Sequence, residues 1–304
     1  MTEPTLRHTL VPGPAAASGA PRRLAWWDWP SLDPASSRIV VCVHGLSRQG
    51  RDFDVLARGL RSRARVVAVD VAGRGESDWL ADPSAYQVPT YAVDLLTLLA
   101  ELRAAQPGAQ IDWVGTSMGG LIGIALAAQP DTGLRRLVLN DVGPVLRFEA
   151  LRRIGSYVGL DPLFDSQRDA IDYLAAISAG FGPHSPEAWR ALSLPMLRPR
   201  GERWGLHYDP AIAVAFRGLA QMDEGAARQV AEANEAALWA LFDAIRTPTL
   251  LLRGAESDLL SAETAAEMAR RGPCPRVVTF AGVGHAPTLV APDQVAAVRD
   301  FLEA

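Results

Sequence analysis

Lysine is missing from this chain: all 30 of its basic residues are arginine. Without a lysine amine, the protein cannot form a Schiff base, hold pyridoxal phosphate covalently or contribute a P-loop lysine to a nucleotide. Serine–lysine catalytic dyads are excluded for the same reason. We attribute the absence to a compositional bias toward arginine and alanine.

Cysteine is almost as scarce, with Cys42 and Cys274 as the two examples. Cys42 lies within the apolar run at 39–43, where we expect it to be a small core residue. Two cysteines provide neither a disulfide framework nor a cysteine-based metal site.

Long apolar runs and an excess of positive charge are also absent. No stretch approaches the length of a membrane span, and the first two dozen residues contain Glu3 and several prolines instead of an apolar signal segment. We therefore predict no membrane span and a cytoplasmic location. The formal net charge of −4 gives no reason to expect a nucleic-acid partner.

What the chain does have is a regular alternation of apolar strands with helical patterns. Its 304 residues are 49% hydrophobic, which is enough for one large core. Nearly all-apolar strands separated by helices predict a parallel sheet covered by helices on both faces. The predicted strands are 23–29, 38–43, 65–69, 110–114, 134–139, 249–252 and 276–280.

Two segments depart from this alternation. Residues 1–22 are rich in proline, glycine and alanine, and we predict a flexible N-terminal arm. Residues 143–223 are rich in aromatic residues and prolines, without a clear strand, and we predict a helical lid. The alternative for this segment is an extra helical layer with no role in binding. The remaining residues, 23–142 and 224–304, form the predicted core.

Ser117 has the setting of a catalytic nucleophile. It lies in Gly115-Thr116-Ser117-Met118-Gly119, between a predicted buried strand and a predicted helix. A tight strand-to-helix turn strains its central residue and exposes the side chain, and flanking glycines permit the close backbone approach. The start of the helix directs free N–H groups toward charge that develops on a substrate.

At these positions the chain resembles the α/β-hydrolase superfamily. His44-Gly45 is similar to the family's oxyanion-loop motif, and residues 70–77 (DVAGRGES) to its D-x-x-G-x-G-x-S segment. Residues 115–120 match the nucleophile elbow, and Gly284-His285 resembles the loop that carries the catalytic histidine. The similarity covers nearly all of 38–302. It implies a mostly parallel, largely eight-stranded sheet with helices on both faces and an inserted helical lid.

A serine hydroxyl needs a base within hydrogen-bond reach to act as a nucleophile. Of the five histidines, His285 follows a predicted strand downstream of the serine, as the family order requires, and we predict that it is the base. For His44 we expect a role other than the base, in which its hydrogen bonds hold the oxyanion loop. His8 falls in the arm, and His184 and His207 fall in the predicted lid.

Two aspartates are candidates for the carboxylate that orients the histidine. Asp258 follows the strand at 249–252 and matches the family's usual position, so we predict Asp258. Asp141 ends the strand at 134–139, a place from which some family members supply their acid. Residues 140–144 (NDVGP) fit a hinge between strand and lid equally well. Glu256 is a weaker competitor in the same loop as Asp258.

The resemblance implies an oxyanion hole made by the backbone N–H groups of Leu46 and Met118. Met118 is also a candidate packing residue. For Asp70 and Arg74 we expect a structural role, in which the charged groups satisfy buried backbone atoms. The implied mechanism requires no cofactor and no metal.

The predicted activity is hydrolysis of a small or medium apolar carboxylic ester, lactone or thioester through an acyl-enzyme, with a small-molecule substrate as partner. Ser117 argues against the dehalogenases and epoxide hydrolases of this fold, which use an aspartate nucleophile. One alternative is a C–C bond hydrolase, which needs a cation for a substrate carboxylate. Arg147, Arg152 and Arg153 are available, although exposed helix arginines are the simpler interpretation. A non-catalytic ligand-binding member of the fold is the other alternative. The sequence does not indicate an oligomeric state.

Overall fold

The strands form because short, apolar and largely β-branched runs bury both of their faces. The structure is a computed structural model that describes residues 3–13, 20–214 and 224–304. The strands within those ranges are β1 (Thr5–Val11), β2 (Arg22–Trp29), β3 (Arg38–Val43), β4 (Arg65–Asp70), β5 (Gln110–Thr116), β6 (Leu134–Asn140), β7 (Leu163–Phe164), β8 (Leu197–Arg200), β9 (Arg203–Leu206), β10 (Thr249–Gly254) and β11 (Arg276–Phe280).

Eight of these strands make one sheet, in the order β1-β2-β4-β3-β5-β6-β10-β11. The six strands from β4 to β11 in this order are parallel, and β1 and β2 run antiparallel to their neighbours. The mostly parallel, eight-stranded sheet that the sequence predicts is confirmed. The strands β3, β5, β6 and β10 are neighbours in the middle of the sheet and run parallel to one another. The loops that follow their carboxyl ends therefore meet at one edge of the sheet.

Helices cover both faces of the sheet. Along β3, Ile39, Val41 and Val43 pack into the core on one face, whereas Val40 and Cys42 pack into the core on the other, as the two-residue period of a strand requires. The helices are α1 (Asp54–Leu60), α2 (Val88–Ala105), α3 (Met118–Ala127), α4 (Phe148–Tyr157), α5 (Gln167–Ile177), α6 (Pro186–Ser193), α7 (Glu224–Ala244), α8 (Ala262–Met268) and α9 (Pro292–Glu303). Residues of α2, α3, α7 and α8 join the first core, and residues of α1 and α9 join the second.

The N-terminal segment differs from its prediction. Residues 1–22 were expected to be a flexible arm, but Thr5–Val11 is β1, which pairs with all of 22–28 in β2. Thr9 and Val11 are buried, and the hydroxyl of Thr9 accepts a hydrogen bond from the indole of Trp26. The arm interpretation is therefore wrong for this stretch. Residues 1–2 and 14–19 lie outside the described residues.

Residues 143–214, which we call the insertion, leave the core after β6. They contain α4, α5 and α6, as the sequence predicts, and also a small antiparallel sheet in the order β7-β9-β8. The purely helical prediction missed this sheet because its strands are two to four residues long. Residues 215–223 of the predicted lid lie outside the described residues. In the part of the chain that the structure describes, no helix is both long and apolar enough to cross a membrane.

Candidate active site

Ser117 sits in a strained turn between β5 and α3. Its backbone has φ 51° and ψ −115°, a conformation that an L-residue rarely adopts. Gly115 and Gly119 have no space for a side chain: an added Cβ would lie 2.2 Å from the carbonyl oxygen of Gly119 and 2.0 Å from that of Val43, respectively. The two glycines are therefore needed to let the backbone fold tightly beneath the serine.

The side chain of His285 lies against Ser117. Its Nε2 is 3.0 Å from the Ser117 Oγ, which is hydrogen-bond distance. The imidazole is mostly buried, in the loop that follows β11. The structure thus brings together the two residues that the sequence predicts as nucleophile and base.

Asp141 completes the chain of hydrogen bonds. Its Oδ2 is 2.7 Å from the Nδ1 of His285, and it also accepts a hydrogen bond of 2.6 Å from the hydroxyl of Ser257. Its Oδ1 accepts one from the backbone N–H of Gly254 at 2.9 Å. The carboxylate is fully buried. Three donors hold it in one orientation, so the edge of the imidazole that faces Ser117 is fixed as well.

The contact predicted for Asp258 is wrong: Asp141, and not Asp258, lies against His285. Asp258 is half-exposed and forms a bidentate ion pair with Arg153 of α4, with N–O distances of 2.7 and 3.0 Å. The reason is the strand register: Asn140, the last residue of β6, pairs with Thr116, so Asp141, which follows β6, stands beside Ser117. The loop after β10 places Ser257, and not Asp258, against the carboxylate. Glu256 is not hydrogen-bonded to His285 either; its backbone N–H donates to the carbonyl of Val283.

The predicted oxyanion donors lie next to the serine. Met118 is the first residue of α3, where backbone N–H groups lack intrahelical acceptors. Leu46 follows Gly45, whose ideal Cβ position is 3.6 Å from the Cβ of Ser117. Both Gly45 and Leu46 line the same cavity as Ser117. The two residues that the sequence predicts as oxyanion donors thus lie beside Ser117.

His44 holds the loop that carries Leu46. Its Nδ1 donates to the carbonyl oxygen of Gly45 at 2.7 Å, and its Nε2 accepts the backbone N–H of Val71 at 3.0 Å. Burial lowers the pKa of His44 to about 3, so the ring is neutral and can make both bonds at once. Because the carbonyl of Gly45 and the N–H of Leu46 share one peptide, this bond orients the proposed donor directly.

Asp70 and Arg74 satisfy buried backbone atoms, as the sequence predicts. Asp70 accepts hydrogen bonds from the N–H groups of Gly50 and Glu76 and from the indole of Trp27, and burial raises its pKa to about 7. The guanidinium of Arg74 donates to two backbone carbonyls, those of Leu46 and Ala72.

A cavity of about 390 Å³ opens over the serine. The core supplies Ser117, His285 and the oxyanion loop, and the insertion supplies apolar side chains, among them those of Ile154, Leu174, Phe181, Met196 and Leu206. The cavity therefore has room for a small molecule beside the Ser117 hydroxyl, in contact with both polar and apolar side chains. Within the described ranges, no group of three or more histidine, cysteine or carboxylate side chains is arranged to hold a metal ion.

Known proteins match this chain over most of its length. The sequence model of the Alpha/beta hydrolase family matches residues 40–298, so the chain belongs to that family. It is 49% identical over 283 residues to a 3-hydroxybutyrate-oligomer hydrolase of Cupriavidus necator, covering 92% of each chain. It is 28% identical to a 2-(acetamidomethylene)succinate hydrolase of Mesorhizobium japonicum, over 90% of each chain.

The fold is shared with solved structures as well. An α/β hydrolase from Novosphingobium aromaticivorans aligns with a TM-score of 0.82 at 35% sequence identity, and the alignment covers 100% of this chain and 99% of the other. The eight-stranded sheet with its covering helices is thus the architecture of the family.

Proposed function

We propose that this protein is a serine hydrolase of carboxylic esters, with Ser117, His285 and Asp141 as its catalytic triad. The observation that carries the proposal is the continuous hydrogen-bond chain from the Ser117 Oγ through both nitrogens of His285 to the buried Asp141 carboxylate. A hydroxyl, a base and an orienting acid in this geometry are what nucleophilic acyl transfer needs.

The proposed reaction proceeds in two halves. His285 takes the proton of Ser117 as the Oγ attacks the ester carbonyl, and the N–H groups of Leu46 and Met118 stabilise the oxyanion. His285 then gives its proton to the departing alcohol, which leaves an acyl-enzyme on Ser117. Water, activated by the same imidazole, releases the acid and restores the enzyme. Asp141 keeps the Nδ1 proton in place and stabilises the imidazolium in both halves.

For the substrate we propose short oligomers of a hydroxy acid, such as 3-hydroxybutyrate. The relative that acts on such oligomers is 49% identical along nearly the whole chain, whereas the relative that acts on a substituted succinate is 28% identical. A hydroxybutyrate unit is a small acyl group with an apolar methyl branch, which suits the apolar lining that the insertion contributes. We propose that the insertion acts as the lid over this cavity.

The test is turnover of the dimer and trimer of 3-hydroxybutyrate, followed by liquid chromatography and mass spectrometry. We expect release of the monomer at a rate that saturates with substrate concentration, without added cofactor or metal. A p-nitrophenyl acetate assay on the same sample reports general esterase activity. If folded protein hydrolyses neither the oligomers nor the nitrophenyl ester, the hydrolase proposal is wrong and the ligand-binding alternative is favoured. Turnover of a vinylogous diketo acid without ester turnover would favour the C–C bond alternative.

A further inference from the structure

Two arginines line the cavity among the residues that the structure describes, and they differ in their freedom to meet a ligand. The side chain of Arg48 is 11% exposed and is held by both oxygens of Asp52 and by the carbonyl of Leu192. Arg153 of α4 is 44% exposed. Arg147, at the start of the same helix, is exposed and is not among the cavity residues. The side chain of Arg152 lies outside the described residues.

Arg153 already holds a carboxylate in the geometry that a ligand would use. Its Nε and Nη2 donate to the two oxygens of Asp258, the fork-to-fork arrangement in which a guanidinium recognises a carboxylate. Asp258 is itself 49% exposed, so water screens the pair and it contributes little stability. A carboxylate on a ligand in the cavity can therefore replace Asp258 at small cost.

We propose that Arg153 is the binding site for the free carboxylate of a linear ester substrate, and that Asp258 occupies this site when no substrate is bound. The inference rests on the proposed function, because a linear oligomer of a hydroxy acid ends in one free carboxylate. Whichever ester bond is cleaved, that carboxylate stays on the fragment that leaves as the alcohol. Arg153 therefore acts in binding and in acylation of Ser117, and it has no contact to make during hydrolysis of the acyl-enzyme.

The test compares a charged substrate with its uncharged analogue: the 3-hydroxybutyrate dimer as the free acid and as its methyl ester. In Arg153→Gln, kcat/KM for the free acid should fall about 10- to 100-fold through loss of a charge-assisted pair. For the methyl ester it should change less than about twofold, since no carboxylate is present. Asp258→Asn, which removes the competing carboxylate, should raise kcat/KM for the acid about two- to fivefold. Arg147→Gln is the matched control.

A second readout keeps this inference separate from the proposed function. The dimer acid should inhibit hydrolysis of p-nitrophenyl acetate competitively, more strongly than its methyl ester does, and Arg153→Gln should abolish the difference. This result is measurable even in an enzyme that does not cleave oligomers. Equal losses for acid and methyl ester in Arg153→Gln, or no difference between the two inhibitors in the wild type, would show that Arg153 is not the carboxylate site.

A second observation concerns Arg74, which touches both residues of the proposed oxyanion hole. Its guanidinium is fully buried, and its Nε donates to the carbonyl of Leu46 at 2.8 Å. Its Nη2 lies 3.7 Å from the sulfur of Met118, and its Nη1 donates to the hydroxyl of Tyr91. We infer that Arg74 is a positioning residue that sets the relative placement of the two N–H donors.

The turn that holds Arg74 is also joined to the insertion. The N–H of Gly75 donates to the carbonyl of His207, and the carbonyl of Gly73 accepts the N–H of Asp209. Arg74 therefore lies between the segment that covers the cavity and the loop that stabilises the oxyanion. A structural role alone would affect stability, whereas a positioning role affects the transition state more than substrate binding.

The prediction for Arg74 is a selective loss of kcat. In Arg74→Met, kcat for p-nitrophenyl acetate should fall about 10- to 100-fold with KM nearly unchanged, since misplaced donors weaken transition-state binding. Inhibition by an aryl trifluoromethyl ketone, whose adduct on Ser117 carries an oxyanion, should weaken by a similar factor. Tyr91→Phe removes one partner of the same guanidinium without touching Leu46 and serves as the control. Arg74→Lys provides a second variant if the first does not fold. A folded variant with unchanged kcat and unchanged ketone inhibition would contradict the inference.

Discussion

Replacing Ser117 by alanine should lower kcat for ester hydrolysis by about six orders of magnitude, the loss found when a triad serine is removed from a serine protease. Ser117 has a positive φ, and alanine carries the same Cβ as serine. The substitution therefore adds no backbone strain to the turn. The variant should therefore fold like the wild type and lose the chemistry alone. Hydrolysis of p-nitrophenyl acetate, with thermal unfolding measured alongside, checks both parts.

A covalent probe gives the same prediction a second readout. A fluorophosphonate should add to the Ser117 Oγ, and mass spectrometry should locate the adduct in the peptide that contains it. Labelling should disappear in Ser117→Ala and fall steeply in His285→Ala, which lacks the base. Ser178→Ala alters another serine of the same cavity and should retain labelling. Full activity or continued labelling of the cavity in Ser117→Ala would refute the nucleophile assignment.

Replacing Asp141 by asparagine should lower kcat by about four orders of magnitude, as loss of the orienting carboxylate does in serine proteases. Asparagine has nearly the same volume, but one of its side-chain groups donates where Oδ2 accepts from both His285 and Ser257. The imidazole then favours the tautomer whose Nε2 proton faces the serine, and such a ring cannot take the serine proton. Kinetics on p-nitrophenyl acetate give the magnitude, and circular dichroism confirms the fold.

Asp258→Asn is the variant that separates the two candidate acids. Its side chain is half-exposed and pairs with Arg153, so toward a neutral ester the variant should lose less than about threefold. The reverse pattern, with a large loss of kcat in Asp258→Asn and a small loss in Asp141→Asn, would show that Asp258 is the orienting acid.

Local patterns in the sequence were sufficient to predict that Ser117 and His285 lie together, because each stands in a short motif that follows a strand and contains two glycines. The choice between Asp141 and Asp258 depends on which strand end faces the imidazole, and that is a matter of register between β5 and β6. Spacing along the chain does not encode register. The signal available was the position of Asp141 immediately after the strand that neighbours the nucleophile strand.

The sheet itself was predictable where strands are buried on both faces, as in β3 and β10. The edge strand β1 was missed because Thr9 and Val11, near its C-terminal end, are its only buried residues, while Leu10 is exposed to solvent. Its formation depends on pairing with β2, a contact between segments that local composition does not reveal. The short strands of the insertion were missed for the same reason, since each exists through its partner.

The position of Asp141 has a consequence for how substrate preference can evolve. The hydrogen bonds described for its carboxylate and backbone N–H go to Leu252, Gly254, Ser257 and His285, all outside residues 143–214. The hydrogen bonds that fix the proposed acid thus involve no residue of the insertion. Substitutions within the insertion can therefore alter the cavity lining without changing the partners of Asp141. Exchange of the whole segment would also break the hydrogen bonds that Gly180 and His207 make with Gly284 and Gly75 of the core.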